Sequence, residues 1–186
     1  MQKSSIAWLQ VCMTACVWVI VFRLNTWFFG AFEWAELVIN WIFLPAAVRL
    51  LSVMLFGWRG ALGIWFGTMY LTHGTVFESN LFEALGVATL SALGPLVAVS
   101  LTMRHLKIQL DLQGLTANRL VVFAVVGALC NVIPHNLFFW IIGIAANPFD
   151  GVFPMFIGDI LGTVIVFYTL RSLLVALERF MQRPSY

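Results

Sequence analysis

Charge is what this chain has least of. Only 10% of its 186 residues are Asp, Glu, Lys or Arg, against roughly 25% in soluble domains. So few charges cannot cover a water-facing surface, and the net charge of +2 is too small to draw a nucleic-acid partner. Cysteine is sparse as well. Cys12, Cys16 and Cys130 all lie in apolar runs and are expected as packed thiols, with no nearby Cys or His completing a metal pattern. Catalytic signatures are missing too: there is no G-x-S-x-G, H-E-x-x-H, Walker loop or dinucleotide fingerprint. An aspartyl intramembrane protease would need a second aspartate at depth. A serine version would need Ser91 or Ser100 to face His135. The expectation is a protein that is not an enzyme, and the residues name no cofactor.

What fills the chain instead is apolar. Hydrophobic residues make up 62% of it, with 17 Phe and 8 Trp. A membrane-crossing helix needs about 20 mostly apolar residues. By that measure the sequence predicts an all-α, polytopic transmembrane helical bundle of about six helices, at residues 6–22, 35–56, 61–77, 82–103, 120–146 and 152–177. His73 and Gly74 interrupt the third near its end. Gly57–Gly60 and Asn147–Gly151 read as tight turns, and the aromatic stretch 28–34 suits an interfacial level. The alternating ten-residue pattern of a β-barrel is absent. The first apolar run lacks a small-residue cleavage site and continues past Cys16, so it reads as a membrane helix and not a signal peptide. The whole of 1–186 is expected as a single integral membrane domain.

Basic residues orient it. With the N-terminus inside, Lys3, Arg59, Arg104, Lys107, Arg119, Arg179 and Arg183 fall on the cytoplasmic side, and Arg23 stands alone opposite. This follows the positive-inside rule. Glu33, Glu36, Glu78, Glu83 and Asp150 lean to the outer face. The expected location is a bacterial inner membrane with both termini cytoplasmic.

Ionisable and polar groups at membrane depth are costly, so each marks a candidate site. Asp159 sits seven residues into the last run, roughly 10 Å below its end at about 1.5 Å per residue, too deep for its short side chain to reach water. Gly158 and Gly162 flank it as a smooth stripe for a neighbouring helix. On the preceding, antiparallel helix lie Asn131, His135 and Asn136, any of which could partner Asp159. Pro134 frees a backbone carbonyl there for a cavity wall. Asn40 and Glu36 share a face of the second run, while His73 and Glu83 lie near the outer ends of the third and fourth. Together Glu36, Asn40, His73, Glu83, Asn131, His135, Asn136 and Asp159 suggest a ligand pocket in the outer half. For Glu36, His73 and Glu83, interfacial capping explains the pattern equally simply. Arg49 and Arg171 lie a turn or two from predicted cytoplasmic ends, within snorkelling reach of head groups; the alternative for either is a buried ion pair.

Three stretches carry a family likeness. Trp41-Ile-Phe-Leu-Pro-Ala-Ala-Val-Arg-Leu-Leu51, then Leu55-Phe-Gly-Trp-Arg-Gly-Ala-Leu-Gly-Ile-Trp-Phe-Gly67, then Phe156-Ile-Gly-Asp-Ile-Leu-Gly162 occur in the order and spacing of the MASE1 membrane-associated sensor domain. The run ending at Arg104 resembles that family's helix closing on a basic pair. The likeness covers roughly 35–174. It departs where Ala46 or Ala47 replaces a glycine and Leu62-Gly63 a Trp-Pro. Such domains usually precede a kinase or cyclase output domain. Without one, the resemblance implies a stand-alone sensor, with Asp159 as its key residue and a separate signalling protein as its partner. Two rival expectations remain, both within the lipid bilayer: a transport component similar to the substrate-binding subunit of an energy-coupling-factor transporter, with ATPase subunits as partners, and a structural or assembly protein whose buried polar residues only fix helix packing.

Overall fold

The computed structural model describes residues 2–34, 39–73, 80–106 and 117–181. Six α-helices account for most of them: α1 (Gln2–Phe29), α2 (Pro45–Phe56), α3 (Trp58–His73), α4 (Leu81–Leu106), α5 (Ala117–Ile141) and α6 (Val152–Met181). Four of these, α1, α4, α5 and α6, are long and apolar enough to cross a membrane. Their outward faces carry large apolar side chains, such as Trp8, Leu9 and Ile20 on α1 and Ile133 and Ile141 on α5. An apolar surface of that extent is a lipid-facing surface.

The second predicted helix is corrected. Residues 35–56 do not form one helix, because α2 begins only at Pro45. Proline has no N–H and a fixed φ, so it favours the first helical turn, where the donor would be orphaned anyway. Before it, Ile39–Asn40 (β2) pairs antiparallel with Glu33–Trp34 (β1), in the register Glu33 to Asn40 and Trp34 to Ile39. Residues 41–44 bend between strand and helix. This irregular backbone is half-buried against α1 and α6, and two of its donors find partners there, as apolar surroundings require. The Phe43 N–H donates to the Gly158 carbonyl at 3.0 Å, and the Leu44 N–H donates to Asn25 Oδ1 at 2.8 Å.

The same contact explains the glycines of α6. A Cβ on Gly158 would lie 2.0 Å from the Asn40 carbonyl oxygen, and one on Gly162 would lie 1.9 Å from that of Phe43. The expected smooth stripe exists, but a bent backbone segment lies against it, not a helix. At the other end of α2, Gly57 closes the helix at φ 58 with its N–H donating to the Val53 carbonyl, and the chain turns straight into α3.

Other boundaries shift less. α1 runs on through Arg23, which is exposed, to Phe29, and α5 ends at Ile141, five residues short of the expected end. Cys12 and Cys16 lie exposed on the outer face of α1, so the expectation of packed thiols fails for them, while Cys130 is half-buried.

α2 sits at the centre and touches all five other helices. Nine of its twelve residues are buried. Around it close Trp18, Ile64, Phe123 and Phe167. α1 packs through one stripe, Val11, Thr14, Trp18 and Asn25, whose spacing returns to the same helix face. Gly63 and Gly67 of α3 admit Thr14 and Trp18 at close range.

Candidate functional site

Arg49 lies one turn into α2, and its side chain points into the bundle, where the residue is only 4% exposed. Asp159 on α6, 3% exposed, meets it: Arg49 Nη2 donates to Asp159 Oδ1 at 2.9 Å. Asn131 on α5 closes the triangle. Its side-chain carbonyl accepts from Arg49 Nη1, and its amide donates to Asp159 Oδ2 at 2.7 Å. The three bonds tie three helices together at one point. Each partner offsets the desolvation of the others, which is the condition for a buried charge to be tolerated. Trp18 and Phe43 flank the guanidinium, with ring centroids 5.6 and 5.3 Å away, within cation–π range.

The snorkelling reading of Arg49 is therefore overturned. A partner waits at its own depth, so the side chain pairs inward and never reaches the surface. Arg171 behaves differently and is exposed on α6.

A second polar chain starts from the same asparagine. His135 Nδ1 donates to the Asn131 backbone carbonyl at 2.8 Å, and Ser91 Oγ of α4 lies 3.2 Å from Nε2. Because a carbonyl only accepts, the proton resides on Nδ1, and the Ser91 hydroxyl can donate to Nε2. Ser91 lies well inside α4, where the backbone N–H groups belong to the helix ladder. The contact holds the imidazole in place.

Between these groups lies a cavity of about 110 Å³, well above the roughly 10–15 Å³ that one water needs. Its lining combines the polar side chains of Asn40, Arg49, Thr68, Ser91, His135 and Asp159 with the apolar ones of Trp18, Phe22, Phe43, Leu71, Phe139 and Met155. These come from the later part of α1, the last turns of α3, the first half of α4, the end of α5 and the start of α6. The cavity thus sits towards the end of the bundle away from both chain termini.

Of the residues singled out in the sequence, Asn40, His135 and Asp159 line this cavity, and Asn131 supports it from behind. Asn136 is buried beside them but turns elsewhere: its amide donates to the Val132 carbonyl and contacts Met155 Sδ. Asp159 pairs with Asn131 and Arg49, not with His135 or Asn136. His73 is exposed at the end of α3. Glu83 accepts from the Asn80 amide, while Asn80 Oδ1 accepts from the N–H groups of Phe82 and Glu83, so that pair caps α4. Glu36 lies outside the described residues. The carbonyl freed by Pro134, that of Cys130, packs against Gly94 of α4 and does not line the cavity. Trp18, Thr68 and Ser91 join the site without having been picked as ligand residues. The first two carry no signal in the sequence, and Ser91 enters there only as a possible nucleophile.

Fold and site define a membrane-embedded helical protein with a largely apolar interior cavity bordered by a buried ion pair. Comparison with protein-family models, with curated proteins and with solved structures finds no match to this chain. Among the described residues no three of His, Cys, Asp and Glu gather as a metal site.

Proposed function

We propose that this protein is a receptor-like module of the bacterial inner membrane that binds a small molecule in the cavity above the Arg49–Asp159 pair and signals through a separate partner. The observation that carries this is the cavity itself: room for a small molecule, bounded by a closed ion-pair network and by aromatic walls. Ligand sites commonly combine apolar walls with a few placed polar groups. Support also comes from the stretches that resemble the MASE1 sensor domain. Two of them, 41–51 and 156–162, meet in space through Phe43 to Gly158 and Arg49 to Asp159. The likeness therefore falls on the residues that build the cavity floor. In this reading the chain crosses the bilayer six times, with the bend at 41–44 and α2 forming one broken crossing and α3 a shortened one. Both termini are cytoplasmic, in line with the basic residues.

The test is to isolate the protein from its native membrane with its neighbours cross-linked. A kinase or cyclase held by wild type and lost or altered with Asp159→Asn or His135→Ala supports the reading. A pair of transporter ATPases in its place would make this a transport component, and an unchanged complex in both variants would leave a packing scaffold.

A further inference from the structure

We infer that the cavity takes a small, uncharged, planar ligand rich in hydrogen-bond acceptors, of which a carbonyl-bearing aromatic ring is the simplest example. This rests on the binding reading above and gives it a ligand chemistry.

Three features converge. The first is charge. Arg49 and Asp159 neutralise each other at 2.9 Å, and the two nitrogens of His135 face the Asn131 carbonyl and the Ser91 hydroxyl. An anion or cation entering here would be buried without a counter-charge, which is strongly unfavourable.

The second is an excess of donors. A guanidinium carries five N–H groups, and Arg49 uses two of them, on Asn131 and Asp159. Trp18 and Thr68, 2% and 4% exposed, stand in the cavity wall. The indole Nε1 of one and the hydroxyl of the other have no hydrogen-bond partner among the described residues. Indole N–H can only donate. Buried donors without partners are rare in native proteins, and each calls for an acceptor the protein does not itself provide.

The third is shape. Phe43 and Trp18 flank the guanidinium, and Phe22 and Phe139 add further faces. Such walls favour a flat, apolar body that turns its oxygen or nitrogen lone pairs towards Arg49, Trp18 and Thr68.

Four probes of similar size separate these features: acetophenone (neutral, acceptor only), ethylbenzene (neutral, no acceptor), benzoate and benzylammonium. Their dissociation constants are measured on the full-length protein in detergent, with ligand-induced shifts of the unfolding midpoint alongside. Acetophenone is expected to bind at least tenfold tighter than the other three. Thr68→Val keeps the size of its side chain and removes the hydroxyl, while Trp18→Phe removes the indole N–H together with one ring of the wall. Each is expected to weaken acetophenone about three- to tenfold more than it weakens ethylbenzene, the usual worth of one hydrogen bond. Without probe, Thr68→Val should unfold close to the wild-type midpoint, and Trp18→Phe below it because a buried ring is lost.

If ethylbenzene equals acetophenone, or if either ion binds tightest, the ligand class is wrong while the cavity remains a binding site. If none of the four binds, the binding reading itself falls. If Thr68→Val lowers the probe-free midpoint as far as Asp159→Asn does, or if neither variant weakens acetophenone more than ethylbenzene, those donors are already satisfied and the inference fails.

Discussion

Arg49 and Arg171 occupy matching settings in the sequence, each inside an apolar run and within two turns of where the run should meet the cytoplasmic surface. In the structure they part company. Arg49 is buried and bonded to Asp159 and Asn131, while Arg171 is exposed on the outer face of α6. What separates them is the company other helices bring to the same depth. Asp159 lies 110 residues away from Arg49 in the chain, and the fold puts it within 2.9 Å. Arg171 makes no ion pair among the described residues. A charge in apolar sequence thus turns inward or outward according to its neighbours across the bundle.

Substitutions can break this contrast in graded ways. Asp159→Ala leaves a buried guanidinium without its counter-charge and should cost about 3–5 kcal/mol of stability, read from unfolding in detergent. Next comes Gly162→Ala, whose new methyl would meet the Phe43 carbonyl. Because backbone must move, a loss of about 1–3 kcal/mol is expected, together with weakened protection of the Phe43 amide in hydrogen exchange. Ser91→Ala removes one contact to His135 and should cost about 0.5–1.5 kcal/mol in the same unfolding assay. At the bottom of the scale, Arg171→Gln should change stability by less than about 0.5 kcal/mol. A larger loss there would mean that Arg171, too, depends on a partner.

The contrast also marks how far residues alone could carry the reading. The order of the helices was legible, because long apolar runs have few other uses. Asp159 stood out for the same reason: its depth could be counted from the turn at 147–151. The second run misled because its apolar character continues through a bend. Pro45 was the available sign that the helix starts there, since proline favours the first turn and disrupts the interior. With the start misplaced, Gly158 and Gly162 were matched to a helix when a bent strand-to-helix segment lies on them. Arg49 reads as a snorkelling residue because a sequence gives its distance to the nearest helix end and not its distance to Asp159. Trp18 and Thr68 gave no signal at all. An aromatic on an apolar stripe and a threonine in a helix are ordinary packing residues until the cavity beside them is known.

A double-mutant cycle on Arg49 and Asp159 tests the central claim most directly, with unfolding followed in detergent for Arg49→Met, Asp159→Leu and the pair together. Each single change strands a buried charge or its partner and should cost about 3–5 kcal/mol, whereas the double change removes both charges and leaves only the Asn131 amide unpaired, so its cost should fall well short of the two single costs added together. Two single losses that simply add in the double variant would mean that the two side chains act independently, and the buried pair at the floor of the cavity would not exist.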